Sequence, residues 1–349
     1  MARGDIGGPH ARVAINARAA VREQIGGVER LAREMAVRLP RLRPDRYQVL
    51  SPPGALAHRA GHLWEQGVLP LRAARHALIY SPANLAPLAS RRNVLVMHDV
   101  AALRHPEAYS RGYVAYQRRM LPALARRARL LITVSEFSKS ELVSALGVAP
   151  ERVTVVPEGV GERFRADADA DAVRAAYGLS HPYVLAVGTV SARKNLGLLE
   201  PAARALQERG IQLVVAGSDR GYLRGAPVSL RRLGYVAEED LPGLYAGAQA
   251  LALPSRYEGF GLPCLEAMAC GTPVVAAASG ALPETVGDAG LLVEPDDAAA
   301  FADALVSAAG DEQSHERLAA AGRRRAAEFP WDRTAALTDA AIEPLLAER

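Results

Sequence analysis

A chain of 349 residues exceeds what one ordinary core organises and predicts two domains. Half of the residues are hydrophobic and 23% are charged, which excludes a disordered or fibrous chain, and no apolar run approaches the ~18–20 residues of a membrane-spanning helix. A net charge of +4 spread along the chain, with aromatics at only 5%, lacks the concentrated stripe of a nucleic-acid reader, so no nucleic-acid partner is expected.

The opening stretch "MARGDIGGPHARVAIN" has no secretory apolar segment. Cys264 and Cys270 are the only cysteines, and no Cys/His cluster has ligand spacing. Both facts predict a reduced cytoplasmic protein with no metal site. Of the 42 basic residues only Lys139 and Lys194 are lysines, so each surviving lysine draws notice.

In the first half, apolar β-branched runs predict strands at 12–16, 47–51, 77–81, 93–99, 129–135 and 152–159. After the first, "IGGVERLAREM" sets Gly26 and Gly27 before a helix, as an anion or sugar cradle or simply a turn. The fourth, "NVLVMHD", runs into His98, which either serves a substrate oxygen or is satisfied by local backbone. Segment 111–131 mixes Arg111, Arg118, Arg119, Arg126, Arg127 and Arg129 with apolar residues: a solvated helix, or one lying on an anionic membrane surface. In "SEFSKSEL", Ser138 and Glu141 fit a capping box.

Residues 159–183 read as a linker leading into the second domain. Strands follow at 183–189, 212–217, 232–236, 250–255, 273–279 and 289–295. The first closes on Gly188 and Thr189, with Arg193 and Lys194 at the start of a helix, able to neutralise a diphosphate or simply solvated. After Ser255 comes "RYEGFGLPCLEAMACG". Pro263 suits a first helical turn, Gly271 stops the helix, and Gly259 and Gly261 allow close approach or positive φ. The helix start suits a phosphate, with Glu258 before it and Glu266 in its first turn able to hold hydroxyls; the plain alternative is an ordinary capped helix. The C-terminal segment reads as helix broken near Pro344.

Near-continuous apolar strands separated by helices, twice over, predict an α/β chain of two Rossmann-like, doubly wound domains facing across a cleft. The boundaries are 1–165, 166–330, and a helical segment 331–349 that crosses back to the first domain.

At this point the residues resemble the retaining GT-B glycosyltransferases, glycosyltransferase family four (glycosyl transferases group 1). "EGFGLPCLE" matches that family's Glu-seven-Glu motif and "GTVSARKN" its phosphate-binding segment. "MHDV", "HPEAYS", "VSEFSKSEL", "VVPEGV" and "FPW" match further elements in order. The resemblance implies transfer of a hexose, mannose-like or related, from a nucleotide-diphosphate sugar to a hydroxyl of a glycan, lipid-linked or small-molecule acceptor. It implies catalytic roles for His98, Arg193, Lys194 and Glu258. Glu258 would bind sugar hydroxyls with backbone from Gly259, Phe260, Gly261 and Leu262, and Glu266 the ribose. Gly26 and Gly27 would approach the diphosphate, and Tyr235 and Val236 the base. Many members have Arg where this chain has Thr189; Arg193 is expected to substitute. No cofactor or metal is implied, and the place is cytoplasmic, with peripheral contact at the inner membrane face through 111–131 as one reading. A non-hydrolysing sugar-nucleotide epimerase of the same architecture and a catalytically silent binding protein are the alternatives. An oxidoreductase is disfavoured because no G-x-G-x-x-G follows either leading strand.

Overall fold

The computed structural model describes residues 12–54, 56, 61–217, 221–225 and 229–347. The stretch read above for a secretory leader falls mostly in residues 1–11, outside them. All twelve expected strands form. They are β1 (Val13–Asn16), β2 (Tyr47–Leu50), β3 (Leu78–Ser81), β4 (Asn93–Val96), β5 (Leu130–Thr133) and β6 (Val153–Val155), then β7 (Tyr183–Val187), β8 (Gln212–Ala216), β9 (Arg231–Gly234), β10 (Ala250–Leu253), β11 (Val274–Ala277) and β12 (Leu291–Val293). They build two six-stranded sheets, β2-β1-β3-β4-β5-β6 and β12-β11-β10-β7-β8-β9, with every pairing parallel. Parallel strands need helical crossovers on both faces, and β1, β3, β4, β5, β10 and β11 are accordingly buried at every position.

Five helices matter below: α1 (Gly27–Leu42), α2 (Arg111–Arg127), α3 (Glu136–Leu146), α4 (Leu262–Ala269) and α5 (Trp331–Ala347). The chain divides into two compact units, one of residues 1–100, 116–158 and 331–349, the other of 101–115 and 159–330. Segment 101–115 thus groups with the second sheet, although a linear division at 165 assigns it to the first. Its ties there include main-chain bonds, Ser110 N–H donating to the Tyr222 carbonyl (2.7 Å) and Arg224 N–H to that of Ala108 (2.9 Å), and ring contacts of Tyr113 with Tyr222 and His105 with Tyr257.

In the first unit Ala14 and Ile79, side by side in β1 and β3, pack against Leu50, Trp64, Leu69 and Ala73. Helix α5 packs on α1. Buried Asp339 accepts from Tyr47 Oη (2.6 Å), Arg46 Nη1 (2.6 Å) and Arg43 Nε (3.3 Å). The helix runs through Pro344 rather than breaking there. Asp339 on one side, and Arg12 donating to the Leu346 carbonyl on the other, hold it across the proline. In the second unit the alternate residues Val184/Ala186, Ala250/Ala252 and Val275/Ala277 form one sheet face, packed by Leu199, Phe301 and Leu305.

Two corrections concern helix starts. The N-cap of α3 is Ser135, whose Oγ accepts from Ser138 N–H (2.9 Å), so Ser138 is no cap. Glu266, the fifth residue of α4, opens its second turn, because the helix starts at Leu262.

Candidate active site

His98 and the loop that carries Glu258 follow the carboxyl ends of strands, where open α/β sheets take ligands. In the second unit β10 ends at Leu253, and a buried loop leads to α4. Glu258 lies in that loop, only 8% exposed. Lys194, equally buried, donates to Glu258 Oε1, and Arg193 Nη1 donates to Oε2 (3.3 Å) and to the Tyr257 carbonyl (3.0 Å). Burial alone would raise the Glu258 carboxyl, but Lys194 and Arg193 outweigh it and hold it down at about 2. Burial, followed by the Arg193 charge, pulls the Lys194 ammonium down, opposed by Glu258. The result is an ionised carboxylate gripping two cations away from water.

The backbone explains why the loop has this shape. Gly280, at φ +59°, packs so that a Cβ there would come within 2.8 Å of the Glu258 N and O, and Ala281 N–H donates to the Glu258 carbonyl (3.0 Å). Gly261, at φ +102°, caps α4. Arg193 and Lys194 sit on a 3₁₀ turn, Ala192–Lys194, rather than on a helix start, since Asn195 turns left-handed at φ +50° directly after it. Buried Glu266 accepts from Tyr245 Oη through Oε2 (2.9 Å). Phe260 and Leu262 are buried beside it in sequence, Thr189 is half-buried after β7, and exposed Tyr235 and buried Val236 follow β9. The fold thus brings Arg193, Lys194 and Glu258 into direct contact. Tyr235 and Val236 instead follow the edge strand β9.

In the first unit His98 follows β4 and is almost fully buried. Its Nε2 lies 2.9 Å from the Pro82 carbonyl and its Nδ1 3.2 Å from Glu158 Oε1. Its N–H donates to Asn84 Oδ1 (2.8 Å), and its carbonyl accepts from Ser138 Oγ (2.9 Å). Burial would lower the imidazole, but Glu158 and the Pro82 carbonyl raise it above the ordinary histidine value. Both ring nitrogens are therefore engaged within the unit. Sequence reasoning missed Glu158 and Ser138 as the groups that hold His98; "VVPEGV" and "VSEFSKSEL" contained them. Gly26 caps α1, its N–H donating to Glu29 Oε2 (3.1 Å), while Arg22 donates to Glu29 Oε1 (3.0 Å). Among the described residues no group of three or more His, Cys, Asp or Glu is placed to hold a metal ion. No helix there is long and apolar enough to cross a membrane.

Comparisons with known proteins fit this arrangement. A family model described as glycosyl transferases group 1 matches residues 181–311, and one described as Glycosyltransferase Family 4 matches residues 71–163. The O-antigen chain mannosyltransferase B of Escherichia coli is 33% identical over 284 residues, 75% of this chain and 73% of that protein. Several further curated relatives are spanned over between 48% and 59% of their own length. Sucrose-phosphate synthase from Thermosynechococcus elongatus, 21% identical, gives a TM-score of 0.76 over 97% of this chain and 100% of its own. Anabaena Alr3699/HepE in complex with UDP-glucose gives 0.71 at the same identity and coverage. Likenesses at that identity establish the fold, a GT-B architecture, while the sequence matches establish the family. The chain belongs to the group 1 glycosyl transferases of glycosyltransferase family 4.

Proposed function

We propose that this glycosyltransferase moves a hexose, mannose-like or related, from a nucleotide-diphosphate sugar to a hydroxyl of a glycan, lipid-linked or small-molecule acceptor, retaining the anomeric configuration. The observation that carries this reading is the buried Lys194–Glu258–Arg193 cluster. A carboxylate held ionised by two cations suits a ligand with hydroxyls at one end and a diphosphate at the other. Glu258 accepts from sugar hydroxyls. Arg193 and Lys194 stabilise charge developing on the diphosphate as the C1–O bond breaks. The acceptor oxygen bonds C1 on the same face, and its proton passes to the departing phosphate oxygen. Glu266, fixed by Tyr245, accepts from the ribose. Thr189 stands where many members have Arg, so Arg193 takes that charge.

With those cations in place we propose that transfer needs neither metal nor cofactor. The backbone at Gly259–Leu262 and the start of α4 favour the donor's negative charge. Tyr235 and Val236 contact the base, and Gly26 and Gly27 the diphosphate. His98 reaches the sugar by exchanging its Pro82 carbonyl for a sugar oxygen. Similarity to the O-antigen mannosyltransferase supports a mannose-like sugar. A cytoplasmic place with peripheral membrane contact is a further part of the proposal. Arg111, Arg118, Arg119, Arg126, Arg127 and Arg129 are all exposed, whereas Val114, Leu121 and Leu124 are buried in the protein. Contact through 111–131 is therefore electrostatic, without insertion of apolar side chains.

A thermal-shift screen against GDP-, UDP-, dTDP- and ADP-sugars tests the reading. One donor at 100 times its Kd is expected to stabilise by about 2.7 kcal/mol. Stabilisation by none of them would refute it.

A further inference from the structure

A second polar cluster, entirely within the first unit, is used by none of the roles above. At the carboxyl end of β1, Asn16 Nδ2 donates to Glu65 Oε1 (3.2 Å), Arg18 Nε donates to the same oxygen (2.8 Å), and Trp64 Nε1 donates to Asn16 Oδ1 (3.0 Å). Glu65 is 1% exposed, and among the described residues its other oxygen, Oε2, has no hydrogen-bond partner. It sits in a π-helical turn, Trp64–Val68, a local geometry found disproportionately at functional sites.

The adjacent strand adds a second orphan. Ile15 pairs with Tyr80 in β1–β3, so Asn16 and Ser81 stand next to each other at the strand ends with side chains on one face. That face is the one Trp64 covers, since Ala14 and Ile79, two residues earlier, contact it. Ser81 is fully buried, and its Oγ also lacks a partner among the described residues. Buried polar atoms are satisfied in the great majority of cases, so two such atoms on one sheet face point to a missing hydrogen-bonding group. Glu258 and Glu266 of the second unit are buried likewise.

The charge state narrows what that group is. The cation of Arg18 is taken up by Glu65, and that of Arg22 by Glu29; Arg33 donates to the carbonyls of Ala20 and Arg22. These cations are already engaged by carboxylates and carbonyls of the first unit. What the cluster offers is a carboxylate oxygen and a hydroxyl, partners for a neutral alcohol. Tyr116, whose phenol is raised by burial and then by the Glu65 charge, stands near, with the exposed His62 ring 5.4 Å away edge to face.

We propose that Glu65 Oε2 and Ser81 Oγ hold a hydroxyl of an uncharged sugar acceptor, positioned by Arg18 and Asn16. This rests on the glycosyl-transfer reading and deepens it on the acceptor side. The test compares wild type, Ser81→Ala and Glu65→Gln, using the sugar nucleotide found by the thermal-shift screen. The neutral acceptor probes are octyl α-mannoside, glucoside and galactoside; the anionic probe is mannose 6-phosphate. Wild type is expected to use a neutral glycoside and not the phosphate. Each variant is expected to raise acceptor KM about tenfold or more, with the nucleotide-induced Tm shift unchanged. Glu65→Gln alters the partner of buried Arg18 and risks the fold; Ser81→Ala touches no ion pair and keeps the test decisive. An unchanged acceptor KM in Ser81→Ala means that only a buried water fills the site and overturns the proposal. So does preference for the phosphate, or use of no neutral glycoside by a wild type that binds its sugar nucleotide. A wild type that shows no shift with any sugar nucleotide overturns the transfer reading itself.

Discussion

Replacing Glu258 by Gln keeps the side chain's shape and removes the charge that Lys194 and Arg193 share. The carboxyl lies at about 2 against an ordinary 4.5. That difference, at about 1.4 kcal/mol per decade, corresponds to about 3 kcal/mol of coupling. A carboxylate depressed on folding contributes stability that is present above its unfolded value and lost as pH falls through the folded one. Wild type is therefore expected to lose about 3 kcal/mol between pH 4.5 and 2, and Glu258→Gln to lack that limb. Both tryptophans, Trp64 and Trp331, lie in the first unit, so tryptophan fluorescence offers no probe within the second. Hydrogen exchange of peptides covering 250–269 reports it directly. At pH 7 the variant is expected to exchange there about a hundredfold faster, with transfer slowed ~10²–10³-fold. Removing the Lys194 ammonium as well, as in Lys194→Met with Glu258→Gln, should restore part of the protection, since no buried ammonium is then left without its carboxylate. It should not restore transfer. Wild-type exchange in Glu258→Gln, or transfer regained in the double variant, would refute the reasoning.

Tyr245→Phe removes the 2.9 Å bond to buried Glu266; it should cost ~1–3 kcal/mol and weaken nucleotide binding in a thermal-shift titration. Asp339→Asn weakens three bonds that seat α5 on the first unit, and a loss of about 3 kcal/mol is expected, read from Trp331 fluorescence during urea unfolding. A His98 raised on folding adds stability that is complete below the ordinary histidine value and lost as pH rises through the raised one. Glu158→Gln should lower the His98 midpoint in an NMR titration and remove that dependence, and an unchanged midpoint would contradict the ion pair. Transfer should persist in excess chelator, and loss rescued by Mg²⁺ or Mn²⁺ would show that Arg193 and Lys194 do not suffice.

The central strands could be read from sequence because a parallel strand buried on both faces is a continuous apolar run, as "VLAV" and "ALAL" are. The Arg193–Lys194 and Glu258–Glu266 segments were legible because their residue types are costly without a partner near a strand end. What stayed hidden depends on distant partners. Glu158 meets His98 across 60 positions, and Asn16 meets Glu65 across 49. Ser138 looked like a cap because local spacing fits one, whereas its hydroxyl is drawn to the His98 carbonyl. Pro344 looked like a breaker because the bonds at Asp339 and Leu346 that hold the helix across it come from residues near the other end of the chain. The allegiance of 101–115 rests on main-chain bonds to 222–224 and on ring contacts with Tyr222 and Tyr257, partners more than a hundred positions away.

The central claim is retaining transfer from a nucleotide-diphosphate sugar, and the most direct test follows the anomeric carbon. The sugar nucleotide that stabilises the protein, labelled with ¹³C at C1 and α-configured, is incubated with the enzyme, excess chelator and an octyl glycoside, and the early product is observed by NMR. The account predicts an α-linked product from wild type and none from Glu258→Gln. A β-linked product, or transfer by the variant at the wild-type rate, would contradict it.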